Sequence, residues 1–227
     1  MDHLQDADKA RLGKLAEVGW LSRQPAAFQA AIAGLGRWRE FEPGEVIFVA
    51  GDEPDGMYGL AQGVLEISFP LVGDEEVVVH RAEPGFWVGE GAILAEQARF
   101  ITLLAATTAR ILFLPRAGLL RMLEADPRHW RAFHEQSVAN TVLTATLLAE
   151  VLSLTPRARV ARLLLRLADG EGAVEVNQED LARLLGMTRS SIRRVIGSLV
   201  DDGIVSSGYR RLVVEDRGRL EGLTREA

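Results

Sequence analysis

The spacing of apolar residues changes character along the chain, and each change marks an element. From residue 12 to 38, Leu12, Leu15, Ala16, Trp20, Leu21, Phe28 and Ala31 recur at helical intervals and predict a helical lead-in. From Phe41 the helical period stops. Short β-type runs follow: Val46-Ile47-Phe48-Val49, Met57 to Leu60, Val64 to Phe69, Glu76 to Arg81 and Leu103 to Leu114. They are punctuated by Gly51-Asp52-Glu53-Pro54-Asp55-Gly56, Gly63 and Glu83-Pro84-Gly85. Short strands with turns at this spacing predict a small β-sandwich or jelly roll. After Pro115 the pattern is helical again through Leu119, Leu120, Met122 and Leu123. Asp126-Pro127 then reads as a stop and a new start.

One long helix is predicted from about Arg128 to Leu154. Its charges are Arg131 and Glu135 near the start, then none until Glu150. A helix so weakly charged must be covered on most sides. The uncharged run Gln136 to Ala149 is too short and too rich in Gln, Asn, Ser and Thr to span a bilayer. One side can lie on the strands. The remainder asks for a partner, and the simplest is the same helix of a second copy around a two-fold axis. The alternative is a central helix buried in a monomer. Thr155-Pro156 reads as a hinge, with a further helix beyond it around Val160 to Leu164.

The stretch from Val176 to Ile196 has the form of a helix-turn-helix. Asn177 can cap the first helix, with Asp180 three positions on as an approximate capping box. Leu181, Leu184 and Leu185 make its apolar face. Gly186 sits where that helix must stop. Thr188 can cap the second helix, whose buried face is Ile192, Val195, Ile196 and Leu199. Arg189, Ser190, Arg193 and Arg194 are left facing outward, and no acid occurs between Thr188 and Val200. A helix of this size fits the major groove of DNA. Ile204-Val205, Ser206-Ser207-Gly208 and Leu212-Val213-Val214 then read as two strands around a turn, a wing carrying Arg210 and Arg211. The alternative is a small helical hairpin with a basic solvated side. The DNA reading assigns Arg189, Ser190 and Arg194 to base edges, and Thr188, Arg193, Arg210 and Arg211 to phosphates.

The net charge of −6 looks wrong for a DNA binder. The split removes the objection: residues 1–156 carry −8 and residues 157–227 carry +2. The basic character is local, concentrated on one helix and one wing, which suits binding at chosen sites. The chain has no Cys, so disulfides and thiolate metal sites are excluded. The charged start, Met1 to Arg11, holds no signal-like apolar stretch, and a cytoplasmic protein is expected. Gly89-Glu90-Gly91 is followed by no Gly-Lys-Ser/Thr, and no local Ser/His/Asp set stands out, so no enzyme and no metal site are expected.

Phe41-Glu42-Pro43-Gly44-Glu45, Gly51-Asp52, Gly63 before a strand, and Pro84-Gly85-Phe86-Trp87-Val88-Gly89-Glu90 together resemble a cyclic-nucleotide-binding β-roll. With the winged helix behind it, the chain resembles the CRP/FNR (catabolite activator) family of bacterial transcription regulators over about residues 40–215. The resemblance implies an α+β chain in three parts: a sensory β-roll with N-terminal helices (1–126), a dimerisation helix (127–154) and a winged helix-turn-helix (155–227). It implies double-stranded DNA and a second copy of the chain as partners, RNA polymerase as a further one, and no membrane.

It also implies an effector site. In that family a short helix after Gly-Glu leads to an Arg followed by Ser or Thr. The Glu holds a ribose hydroxyl, and the Arg with backbone N–H groups holds the cyclic phosphate. Hydroxyls from the long helix reach the base. The matching positions here are Gly89, Glu90 and Arg99, with Thr141, Thr144 and Thr146 available on the long helix. Phe100 stands where the nucleotide binders have a hydroxyl. That removes a phosphate contact, puts a ring at the pocket, and leaves the effector unassigned. The alternatives are another small effector, or a β-roll that responds through protein contacts. Without a bound anion, Glu90 and Arg99 read as an ion pair bracing the cassette. Two other classes remain: a stand-alone cyclic-nucleotide sensor or adaptor whose C-terminal domain acts through protein contacts, and a haem or gas sensor, for which His80 is the β-roll's candidate ligand.

Overall fold

Strands with apolar residues on both faces must be covered on both sides, and this requirement organises the first half of the chain. The computed structural model describes residues 6–71, 76–208 and 211–225. The chain divides into two compact units, Met1–Val142 and Leu143–Ala227.

The first unit opens with α1 (Asp6–Leu12), a 3-10 turn (Gly13–Ala16), α2 (Gly19–Ser22) and α3 (Ala26–Leu35). The predicted helical lead-in over 12–38 is therefore broken into pieces, and its end is strand: Trp38 lies in β1 (Arg37–Phe41). The breaks fall at Gly13, Gly19 and Pro25, whose backbones suit turns. β2 (Val46–Phe48), β3 (Gly56–Gln62), β4 (Leu65–Pro70), β5 (Glu76–Ala82) and β6 (Trp87–Val88) follow, then α4 (Glu90–Leu94). The Leu103–Leu114 run is two strands, β7 (Thr102–Ala105) and β8 (Ala109–Pro115).

These form two antiparallel four-stranded sheets, ordered β1-β8-β3-β6 and β2-β7-β4-β5. Tyr58, Leu60, Leu65, Ile67, Leu103, Ile111 and Phe113 are buried together in one core cluster drawn from both sheets. The alternate residues of β3 and β8, Met57, Leu112 and Leu114, belong instead to a core with Leu12, Leu15, Trp20, Leu21 and Ile32 from the N-terminal segments. That second core continues into α5 (Arg116–Ala125) through Leu119 and Leu123. After a 3-10 turn at Pro127–His129, α6 (Trp130–Ser153) adds Ala132 and Phe133. Double coverage explains why β8 reads as a continuous apolar run instead of an alternation.

The helix α6 buries little beyond its start: Ala132, Phe133 and Gln136. Past that point Val138, Val142, Leu148, Val151 and Leu152 are exposed, with Leu152 at 78%. Burial of this helix inside a single chain is thereby overturned.

In the second unit, α7 (Pro156–Leu167) is capped by the Thr155 hydroxyl. Glu150 at the end of α6 accepts from Arg162 at 3.0 Å and Arg166 at 3.4 Å on α7. Then come β9 (Ala173–Val174), α8 (Gln178–Leu185), α9 (Arg189–Asp201), β10 (Val205–Gly208), β11 (Arg211–Val214) and α10 (Arg217–Leu223). The expected two-stranded wing is three-stranded, ordered β10-β11-β9, because Leu212 and Val213 also pair with Val174 and Ala173. Leu163, Leu164, Leu181, Leu185, Ile192, Ile196, Leu199, Leu212 and Leu220 form a separate core under the helix-turn-helix.

Candidate DNA interface and sensor cradle

The helix-turn-helix is fixed by local chemistry at every junction. The Asn177 side chain accepts from the Asp180 amide at 2.8 Å and donates to the Asp180 carboxylate at 2.7 Å, closing the start of α8. Gly186 ends α8 at φ +58°, a left-handed turn that a β-carbon would disfavour. Only Met187 and Thr188 then separate it from α9, and the Thr188 hydroxyl accepts from the Ser191 amide at 3.2 Å. Ile192, Ile196 and Leu199 seat α9 on the core. Arg157 of α7 pins its far end by donating to the Ser198 hydroxyl at 2.6 Å and by pairing with Asp202.

Arg189, Ser190, Arg193 and Arg194 are all exposed. Among the described residues, Arg193 and Arg194 have no ion-pair or hydrogen-bond partner. Arg189 has one that the sequence does not signal: it donates to the carboxylate of Glu179 on α8. Thr188 is exposed but spends its hydroxyl as the cap and on the Ser190 and Ser191 hydroxyls. Arg211 starts β11 and is exposed. Arg210 lies outside the described residues.

The other candidate site is built around α4. Gly89 precedes it at φ +107°, and a β-carbon there would sit 3.0 Å from both Arg99 Nη1 and the Gly56 carbonyl. Glu90, only 5% exposed, does not pair with Arg99. Its Oε1 accepts from Asn140 Nδ2 at 2.8 Å and faces the Ser137 hydroxyl at 3.5 Å, both on α6. Its Oε2 is buried and has no partner among the described residues. Burial pushes the Glu90 carboxyl above the usual range, and the hydrogen bonds only partly counter that. Gln136 and Asn140 both donate to the Trp87 carbonyl just before α4, at 2.8 and 3.2 Å.

Arg99 is 3% exposed. Its Nη2 donates to Asp55 Oδ1 and to the Gly56 carbonyl, each at 2.7 Å. Its guanidinium lies 3.9 Å over the Phe48 ring. Tyr58 donates to the same Asp55 carboxylate at 2.7 Å, and burial together with that bond pushes the Tyr58 phenol up. The Gly51-Asp52 turn is held to Arg99 by backbone bonds of 2.7 and 2.9 Å. The ion pair expected between Glu90 and Arg99 is thus replaced by two separate arrangements, because each group has a nearer partner.

Phe100 is 56% exposed and lies beside Gly91, so its ring flanks α4 and fills no buried space. Thr141 is exposed and donates back to the Ser137 carbonyl of its own helix at 2.9 Å. Thr144 is exposed, seven residues past Ser137, or ~10 Å along the helix axis. The α6 residues brought to Glu90 are Ser137 and Asn140. Their only sequence signal is that they continue the stripe of buried Phe133 at helical spacing. His80 packs its ring against Phe86 at 5.4 Å. Among the described residues no group of His, Cys, Asp and Glu is placed to hold a metal, and no helix is long and apolar enough to cross a membrane.

A two-sheet roll followed in the chain by a capped and winged helix-turn-helix is the arrangement of a DNA-binding regulator with a sensor domain. Comparison with known proteins agrees in both parts. The cyclic nucleotide-binding domain family matches residues 38–126, and the Crp-like helix-turn-helix domain family matches residues 158–223. The chain is 32% identical to the HTH-type transcriptional regulator Cmr of Mycobacterium tuberculosis, over 84% of this chain and 78% of that one. It is 30% identical to the transcriptional regulator LdrP of Thermus thermophilus, over 81% and 94%. In fold it is similar to a CRP/FNR-family transcriptional regulator from Thermus thermophilus, with a TM-score of 0.71 at 22% identity, covering 84% of this chain and 99% of that one. The chain belongs to the CRP/FNR family of transcription regulators.

Proposed function

We propose that the protein is a homodimeric, sequence-specific, cytoplasmic DNA-binding regulator, with α9 as the recognition helix. The observation that carries this reading is the state of Arg193 and Arg194: exposed, unpartnered among the described residues, and held on a helix that is capped at one end and braced at the other. Cations that folding leaves open on a rigid support are ready for an anionic partner. Arg189, Ser190 and Arg194 are assigned to base edges, and Thr188, Arg193 and Arg211 to phosphates. Arg210 is assigned to phosphate from the sequence alone.

Dimerisation is assigned to α6. Val138, Val142, Ala145, Ala149 and Leu152 fall at alternating steps of four and three, the seam of a two-stranded coil. All five are exposed in the single chain. Two recognition helices related by a two-fold axis would meet half-sites ~34 Å apart.

The effector site is assigned to Gly89, Glu90 and Arg99, with α6 as the route by which occupancy reaches the DNA-binding unit. Asp55 already neutralises Arg99, so a cyclic phosphate would compete with a carboxylate, and Phe100 offers it no hydroxyl. Cyclic AMP and cyclic GMP are therefore not assigned as effectors. A thermal-shift measurement with each at millimolar concentration is expected to show no rise in melting temperature, and a rise would assign the nucleotide.

The main test is a gel shift on duplexes selected from a random pool and on scrambled controls, across a salt series. Sequence preference together with binding that weakens steeply with salt supports the reading. Absence of binding at low salt overturns it.

A further inference from the structure

The three arginines at the start of α9 are not equivalent. Arg193 and Arg194 stand open, whereas Arg189 donates through Nη2 to Glu179 Oε1, the second residue of α8. The neighbouring acid Asp180 is used by folding: it completes the cap with Asn177 and receives Arg183 at 3.1 Å. Glu179 has no such task. Both members of its pair are mostly exposed, and an exposed pair contributes at most about 1 kcal/mol to stability. An acid beside the recognition helix also repels phosphates, so it weakens attraction to DNA of any sequence. An acid at the start of α8 suits the helix dipole by about 0.3–1 kcal/mol, but Asp180 already supplies one, and general DNA affinity is lowered by Glu179.

We propose that Glu179 is a specificity-determining residue, which keeps Arg189 a reader of base edges and off the phosphate backbone. The inference rests on the reading that α9 enters the major groove. A guanidinium has five donors. The bond from Nη2 uses one of them and leaves the outer edge free to meet guanine O6 and N7 together. If Arg189 swung to a phosphate, it would have to leave Glu179 or carry that carboxylate toward a like charge. The pair therefore penalises the contact that carries no sequence information and spares the one that does. A built-in repulsion of this kind gives discrimination at the expense of total affinity.

The experiment compares wild type, Glu179→Gln, Arg189→Ala and the double variant by fluorescence anisotropy. The duplexes are the site selected by wild type from a random pool, its single-base-pair variants, and a scrambled control, over a salt series. Melting curves check that each variant is folded. Glu179→Gln is expected to bind scrambled DNA at least about threefold tighter, with a salt slope steeper by about one counterion as Arg189 takes up a phosphate. Its preference at the base pair lost in Arg189→Ala is expected to fall at least about fivefold, the lower end of what one bidentate contact discriminates. In the Arg189→Ala background the same substitution should leave base preferences unchanged. Equal tightening on selected and scrambled DNA, or an identical effect with Arg189 absent, makes Glu179 a bulk charge and overturns the proposal. A wild type without any sequence preference overturns the groove reading itself and the inference with it, an outcome distinguishable because it precedes any variant.

Discussion

Arg99 and Arg194 carry the same guanidinium, and the chain treats them in opposite ways. Arg99 is buried with a carboxylate, a carbonyl and an aromatic face around it, all supplied by folding. Arg194 is exposed on a braced helix and has no ion-pair or hydrogen-bond partner among the described residues. The first is closed chemistry: its field is cancelled inside the unit. The second is open chemistry, with a charge that only another molecule can match. The contrast extends to the surroundings. Glu90 is enclosed and bonded to Asn140, whereas the proposed recognition helix α9 keeps its apolar residues inward and its basic ones outward. A closed site can be entered only by displacing something, and an open site need only be approached.

The strongest way to test the open half is to remove its proposed symmetry. Leu152→Glu places a charge on the most exposed apolar residue of the α6 seam, where the single chain loses nothing by it. Light scattering after gel filtration should show a monomer. Operator affinity should fall by about 100-fold or more, because two half-sites are no longer bound as one event. A variant that stays dimeric would move the interface away from α6.

Next in size is the pair of substitutions that compares the two arginines directly. Arg99→Ala should cost about 2–3 kcal/mol in urea unfolding. That lies below the usual loss from breaking a buried pair, because Asp55 is half exposed and can regain water. Arg194→Ala should leave unfolding within about 0.5 kcal/mol of wild type and cut discrimination at the contacted base pair by about 5- to 150-fold, since one base contact carries ~1–3 kcal/mol of discrimination. If Arg194→Ala unfolds the protein, or Arg99→Ala melts like wild type, the distinction between closed and open is wrong. A smaller effect sits at the junction: Asn177→Ala removes the α8 cap and should cost about 1 kcal/mol, read from the same unfolding curves.

The recognition half was legible because its information is local. Asn177, Gly186 and Thr188 stand within a dozen residues and each announces its conformation through its own side chain or lack of one. The jelly roll was legible for the same reason, from turn residues at regular spacing. What escaped was non-local. Asp55 reaches Arg99 across 44 positions, and Asn140 reaches Glu90 across 50, and neither partner is marked by any neighbour in sequence. The lead-in over 12–38 misled because its apolar residues serve a core that several short pieces can reach together, so helical spacing persisted without one helix. Glu179 carries no distinguishing signal in the sequence, because an acid in the first turn of a helix also suits the helix dipole.

The finest test concerns the closed site and reads its pH dependence. Folding raises the Glu90 carboxyl above its usual value, mainly through burial. The folded protein then holds the proton more tightly than the unfolded chain does. Glu90 therefore contributes stability that is fully present below the unfolded carboxylate range and is lost as pH rises through the folded value. Glu90→Gln keeps an oxygen to accept from Asn140 and puts an uncharged amide where Oε2 has no partner. Thermal melting of wild type should fall across that window by more than melting of the variant, so that the two curves converge at the acid end and separate toward neutral pH, with the variant higher. Parallel curves would mean that the carboxylate is hydrated in the folded state. The sensor cradle would then be as open to solvent as the recognition helix, and the contrast between the two halves would reduce to one of shape.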